Sequence, residues 1–337
     1  MPALPKLSYV LLSHNRENYI RQALESAFAQ DYEGELEYII SDDCSTDRTF
    51  DIIRECVAAY QGGRRVVVTR TPRNLHLAGN TNHAMQFVES DWIVRADDDD
   101  ISAIDRCTLV GKAIARFPKA TMVFGRQIDF SQANEEEVRA RASRPSPAPL
   151  SMREESLALP CFFRGLHQTW SMKHFREFGP LPQDGQYVDD LIALYRSCML
   201  GSGVEIDAVL AYIRCGSGNM CRGGDTGGTG YHDIIRRERF TQMYQDTSRR
   251  PLAETLLALE TYASHHPATP HSGEIIAHLR QSLKERDLLS NYWETSCSGR
   301  LQIRRQMGST GFFSLLRCLP LPLFAAALAT YRTFVRK

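Results

Sequence analysis

The chain has 337 residues, enough for one large or two modest domains. Its apolar (43%), charged (24%) and aromatic (9%) fractions exclude wholesale disorder and a membrane-spanning bundle. Lys plus Arg and Asp plus Glu balance at 40 each, so no global charge points to nucleic acid and none is expected as a partner.

Leu7 to Leu12 is a nearly continuous apolar run, followed by Ser13-His14-Asn15 and then by Tyr19, Ile20, Ala23, Leu24, Ala27 and Phe28 at helical spacing. That pattern predicts strand, loop, helix. Leu36 to Ile40 repeats the strand signal, Ser41 to Asp47 forms a polar loop, and Ile52, Ile53, Cys56, Val57 and Tyr60 mark a helix with Ser45 and Asp47 as candidate caps. Val66 to Val68, Trp92 to Ala96 and Met122 to Phe124 read as further strands, with helices over Gly79 to Val88 and Ile104 to Phe117. Strands buried on both faces and alternating with helices imply a mostly parallel, doubly wound α/β sheet flanked by helices.

Arg139 to Pro149 has the proline and basic content of a flexible loop, and Gly216 to Gly230 is too rich in glycine for a regular element. It is expected to lie over the site or at a domain junction. Ile234 to Tyr244, Leu252 to Tyr262 and Glu274 to Trp293 read as helices of a C-terminal helical region. From Thr295 onward there is no acidic residue, and the 14 residues between Arg317 and Arg332 are uncharged but contain Pro320 and Pro322. A spanning helix needs about 20 apolar residues, so an interfacial anchor on a membrane surface fits the tail better. A helix docked on the catalytic domain or on another subunit is the alternative.

The nine cysteines are scattered and never spaced Cys-x-x-Cys, which predicts reduced thiols rather than a disulfide frame or zinc knuckle. Met1 to Lys6 shows no basic stretch leading an apolar core, so a cytoplasmic protein is expected, peripheral on the inner face of the membrane if the tail anchors there.

Four adjacent carboxylates, Asp97 to Asp100, follow the apolar strand at Trp92, and Asp42-Asp43 ends another strand. Ligands of open α/β sheets bind at the carboxyl ends of strands, where both acidic sites fall. Such a run repels itself unless a cation joins it. Mg²⁺ or Mn²⁺ bound by one or two carboxylates keeps open positions for substrate phosphates, which makes a nucleotide diphosphate the first ligand to expect. An acidic solvated loop is the bland alternative.

Taken together these motifs make the chain resemble a family 2 inverting glycosyltransferase of the GT-A fold. Ser8 to Arg16 resembles that family's opening strand and Asn-Arg turn; Glu37 to Asp47 resembles its second strand and Asp-Asp-x-Ser-x-Asp loop; Asn74 to Asn82 resembles its Asn-x-Gly…Asn segment. Asp97 to Asp100 falls on its Asp-x-Asp box, and Gln183 to Arg196 resembles its Glu-Asp segment, with Asp189 in place of the Glu. The resemblance implies a donor nucleotide contacted by Leu12, Ser13, Asn15, Asp43, His76, Asp97 and Asp98. It implies a metal held by Asp99 with Asp97, and a general base at Asp190 or Asp189. All four positions of the box being Asp, its register stays open, as does the choice of base.

The implied organisation is a GT-A domain over residues 1–215, with a nucleotide-binding half to about 130 and an acceptor half from 131. A glycine-rich loop follows at 216–230, then a helical region at 231–294 and a basic, apolar tail at 295–337. The implied chemistry is metal-dependent transfer of a single sugar, from a UDP-sugar as first guess, to a hydroxyl of a cell-surface glycan or lipid-linked acceptor. No Gln-x-x-Arg-Trp box of processive members follows Asp190. A nucleotidyltransferase would want a glycine-rich loop after the first strand, where Ser13-His14-Asn15-Arg16 stands instead. An inactive sugar-nucleotide-binding or scaffold protein is the non-enzymatic alternative. Trp170 falls on the acceptor side before the base, where core packing is the competing role.

Overall fold

A computed structural model describes residues 3–147, 151–155, 168–183, 189–215, 231–290, 292–307 and 319–335. Nine strands form one mixed sheet. Its first half is parallel: β1 (Leu7–Ser13) lies between β2 (Leu36–Asp42) and β4 (Trp92–Asp97), with β3 (Val66–Arg70) on the outer side of β2. The crossovers are α1 (Ile20–Phe28), α2 (Thr49–Ala59) and α3 (His76–Met85). The second half runs both ways. β6 (Ala120–Phe130) pairs in parallel with β9 (Ser202–Arg214), while β8 (Thr169–Ser171) joins β4 and β6 antiparallel. The short β5 (Ile101–Ser102) and β7 (Met152–Glu155) pair antiparallel with β9.

Every residue of β1 and β2 is buried, the mark of strands covered on both faces. Successive side chains leave a strand on opposite sides. Thus Tyr9 and Leu11 join a core under α1, α2 and α4 (Arg106–Arg116), whereas Val10 and Leu12 join a second core on the other face. That second core takes in Ile192 and Tyr195 of α7 (Asp189–Leu200), Leu252 and Leu259 of α8 (Tyr231–His265), and Ile275 and Leu279 of α9 (Ser272–Leu289), with Phe175 of α6 (Lys173–Phe178) packed against it.

Several expectations need correction. Residues 139–142 are helical, the end of α5 (Glu135–Ala142): three glutamates open it, Arg139 and Arg141 close it, and Val138 and Ala142 are buried. Those charges complement the helix dipole and outweigh the basic composition of the segment. The two helices expected at 234–244 and 252–262 are one, with Pro251 inside it. Proline in a helix interior costs about 3 kcal/mol, and burial of Leu252, Thr255 and Leu259 directly after it offsets that cost. The helix expected from Gly79 begins at His76 and ends at Met85, and the one expected to reach Trp293 ends at Leu289 before a 3₁₀ turn over Tyr292–Glu294.

In the tail, a terminal helix (Leu321–Val335) packs on α8, with Leu321, Phe324 and Ala325 buried beside Ile235 and Trp293. Docking, the alternative, is thus what those three side chains do. Among the described residues no helix is long and apolar enough to cross a membrane. The glycine-rich segment 216–230 and the stretches 156–167, 184–188 and 308–318 lie outside the described residues.

Candidate functional site

The parallel ladder sets the site. Ser13 is level with Asp42 on β2, and Leu12 is level with Asp97 on β4, so three adjacent strands deliver their carboxyl ends to one edge. Asp42 is structural: it is fully buried, its Oδ2 lies 3.1 Å from Arg70 Nε, and it accepts from the Ser45 amide. Asp43, one residue on, has left the ladder. Its amide donates to Ser13 O across 2.7 Å, and its Oδ1 accepts from Thr71 Oγ1 and the Leu75 amide, each at 2.8 Å.

Three non-glycine residues around this edge take left-handed backbone, Asn15 (φ 53°), Cys44 (φ 55°) and His76 (φ 59°). Asn tolerates that region best. Asn15 uses the turn to tie two loops: its side-chain Oδ1 accepts from the Thr46 amide at 2.8 Å and its main-chain amide donates to Ser45 Oγ at 2.9 Å. Ser45 thus braces the first loop rather than capping α2. Asp47 Oδ1 takes the Thr49 amide at the start of that helix and Oδ2 takes the Glu17 amide. His14 links both acidic sites: its amide donates to Asp98 Oδ2 at 2.8 Å, and its Nδ1 lies 2.7 Å from Asp43 O. His76 is exposed at the first residue of α3, its amide donating to Asn74 Oδ1.

Within the acidic box the even and odd positions differ. Asp98 and Asp100 are tied to main chain, accepting from the amides of His14 and Arg214. Arginine side chains reach Asp97, Asp98 and Asp99: Arg95 holds both oxygens of Asp97 at 3.1 and 3.3 Å, and Arg16 Nε lies 3.7 Å from Asp98 Oδ1 and 3.6 Å from Asp99 Oδ2. Burial pushes the carboxyls of Asp98, Asp99 and Asp100 well above the usual range, and their neighbours' charges push the same way. A cation would relieve this surplus. Among the described residues no group of three or more His, Cys, Asp or Glu is arranged to hold a metal alone. Two hard oxygen donors on Asp97 and Asp99 fit Mg²⁺ or Mn²⁺ completed by phosphate oxygens, and do not fit a self-contained zinc cage.

On the acceptor side, α7 opens with Asp189 and Asp190, both buried. Asp189 Oδ2 sits 3.0 Å from Arg95 Nε. Asp190 accepts only the adjacent Leu191 amide and has no cation within ion-pair distance among the described residues. Burial first, and then the charge of Asp189, raise its carboxyl. Trp170 is not at the cleft. It is fully buried in the second core, with Nε1 donating to Gln168 Oε1. The residues without a sequence motif of their own are Arg95 and Arg214. Arg95 carries a readable signal nonetheless, since a charge inside Ile93-Val94-Arg95-Ala96 must find buried partners.

The family model described as "Glycosyl transferase family 2" matches residues 8–177. EpsE of Bacillus subtilis (strain 168), named as a glycosyltransferase, is 34% identical over 98 residues, which are 29% of this chain and 34% of that protein. The poly(ribitol-phosphate) beta-N-acetylglucosaminyltransferase TarS of Staphylococcus aureus (strain Mu50 / ATCC 700699) is 31% identical over 97 residues, 28% of this chain and 16% of TarS. The matches therefore span about a third or less of these two relatives. Among solved structures, S. aureus TarS 1-349 in complex with UDP-GlcNAc superposes with a TM-score of 0.53 at 14% identity, covering 98% of this chain and 92% of that one. The mannosyltransferase PcManGT from Pyrobaculum calidifontis, in complex with GDP-Man and Mn²⁺, gives 0.51 at 16% identity, covering 100% and 90%. These two likenesses concern the fold.

Proposed function

The chain belongs to glycosyl transferase family 2, and from that membership we propose that it transfers a single sugar from a nucleotide-diphosphate sugar to an acceptor hydroxyl, with inversion at the anomeric carbon. The observation that carries the reading is that Asp43, Asp97 and Asp99 stand at or just past the ends of the parallel strands β2 and β4, while Arg95 joins Asp97 to Asp189 in the first turn of α7, next to Asp190. A UDP-sugar is the proposed donor and a cell-surface glycan or lipid-linked precursor the proposed acceptor, met in the cytoplasm at the membrane face.

In this reading Leu12, Ser13, Asn15 and Asp43 line the base and His76 approaches the phosphates. Asp43 Oδ2 is the acceptor for a base N–H, its Oδ1 being engaged with Thr71 and Leu75. Asp97 meets the ribose and, with Asp99, holds the divalent ion; Asp98 serves by fixing the His14 turn. When bound, Mg²⁺ or Mn²⁺ would take up charge on the departing diphosphate. Asp190 removes the proton of the attacking hydroxyl. Asp189 is engaged with Arg95, and Asp190, with no such partner among the described residues, is the proposed base; burial raises the proton affinity of both carboxyls. Alignment of the two substrates supplies the rest of the acceleration.

Thermal unfolding with UDP, GDP, dTDP and CMP, each with and without Mn²⁺, tests the proposal. A ligand at 100 times its Kd adds about 2.7 kcal/mol, so a metal-dependent rise with one nucleoside diphosphate is expected. Folded protein that responds to none of them would sink the reading.

A further inference from the structure

We propose that Arg95 is a positioning residue for the transfer, setting the distance between the donor acids and the base-bearing helix by holding Asp97 and Asp189 at once; this rests on the site reading above. Arg95 and Asp97 are two apart on β4, so their side chains leave the same face of the strand. The guanidinium is 3% exposed. Its Nη atoms take both oxygens of Asp97 at 3.1 and 3.3 Å, while Nε lies 3.0 Å from Asp189 Oδ2. The two Nη atoms fork onto Asp97 in a way that a lysine ammonium, a point charge, does not, while the arm to Asp189 is a close ion pair outside hydrogen-bond alignment.

The pivot is itself anchored. Arg95 N donates to Gln168 O at 3.3 Å, and its carbonyl accepts from Arg106 Nη2 at 2.6 Å. Asp189 is the residue before Asp190 in the first turn of α7. Arg95 thereby joins the strand that carries the donor acids to the helix that carries the base.

A misplacement of about 1 Å can cost a factor of about 100 in rate, so the bridge should show in kcat. The test follows release of nucleoside diphosphate from whichever of UDP-GlcNAc, UDP-glucose and GDP-mannose the wild-type protein turns over, with nucleotide Kd measured in parallel. Asp189→Asn breaks the acceptor-side arm and leaves the Asp97 grip intact; it should lower kcat by about 10- to 50-fold with Kd within about twofold. Arg95→Lys, which also loosens the grip on Asp97, should lower kcat at least as much. In an Asp189→Asn background, Arg95→Lys should cost less than it does alone, because the arm to Asp189 is already cut.

Additive losses would overturn the proposal, as would kcat unchanged in Asp189→Asn. A loss beyond about 1,000-fold in Asp189→Asn, with activity kept in Asp190→Asn, would make Asp189 the base and also overturn it. If Arg95→Lys fails to fold, Asp189→Asn still decides through its split between kcat and Kd. A wild-type protein that binds and turns over no nucleotide sugar would remove the site reading and this proposal together, an outcome distinct from those above.

Discussion

The main-chain amide of Arg214 donates to Oδ1 of Asp100 across 2.7 Å, joining the last residue of β9 to the last carboxylate of the acidic box. The Arg214 side chain extends the joint, with Nε on Asp99 O at 3.0 Å and the Nη atoms on Glu135 and Gln22, each at 2.6 Å. Its guanidinium lies 4.5 Å from the ring centres of both Tyr19 and Phe130. Arg214→Met should strand Glu135, whose carboxyl the arginine holds below its ordinary range. Since Glu135 keeps some solvent, we expect a loss of about 2 kcal/mol in urea unfolding at pH 7. The loss should shrink as pH falls below that carboxyl's unfolded value, because the depressed group contributes stability only while ionised.

Asp190→Asn should lower turnover by about 10²- to 10⁴-fold while nucleotide affinity stays within about twofold. It should also raise thermal stability. The folded state raises the Asp190 carboxyl, so ionising it costs stability, a cost that grows as pH rises above the unfolded value. The gain in Tm should be larger at pH 8 than at pH 5, about 2–4 °C for each kcal/mol recovered. An unchanged or lower Tm at pH 8 would refute the assignment of strain to this carboxylate.

The register of the box predicts a contrast between neighbours. Asp99→Asn should abolish the Mn²⁺-dependent part of nucleotide stabilisation, weakening apparent affinity at least about tenfold. Asp100→Asn should leave it largely intact, because an amide oxygen still accepts from Arg214 N. Calorimetric titration of nucleoside diphosphate with and without metal distinguishes the two. Equal losses in both variants would reopen the register.

His174 supplies a pH prediction away from the cleft. It is buried against Ser197, whose Oγ is 2.7 Å from Nε2. Burial first, and then the Arg196 charge, push its pKa down to about 3 from 6.5. Its neutral form is therefore kept in the folded protein while the unfolded chain protonates, so stability present above 6.5 is lost as pH falls. The slope is about 1.4 kcal/mol per pH unit, or about 2 kcal/mol between pH 6.5 and 5. His174→Gln should flatten that limb of the stability profile; a limb of unchanged slope would assign it to other groups.

The parallel half of the sheet was legible because strands covered on both faces must be apolar throughout, as in Tyr9-Val10-Leu11-Leu12. Asp43 and Asp97 were legible as acids because polar residues directly after such runs have nowhere to go but the strand ends. Register within Asp97 to Asp100 was not, since four identical side chains carry no pattern; what separates them is long-range contact, the amides of His14 and Arg214 falling on Asp98 and Asp100, Arg214 from 114 residues away. Continuity through Pro251 escaped for a like reason. Local propensity ends a helix there, and the burial that overrides it is supplied by residues far along the chain.

Val10 and Leu12 near the start of the chain share their core with Leu252, Leu259 and Leu279 near its end. During synthesis the parallel strands therefore leave the ribosome long before the helices that will cover them. Until α8 and α9 are made, that face of the sheet lacks the cover of Leu252, Leu259, Ile275 and Leu279, and the apolar side chains beneath them stand open to chaperones and to neighbouring nascent chains. Order in translation and order in folding are thus opposed in this protein. A nascent chain stalled near residue 230 should remain sensitive to protease, while one released past residue 290 should acquire protection over both halves of the sheet at once.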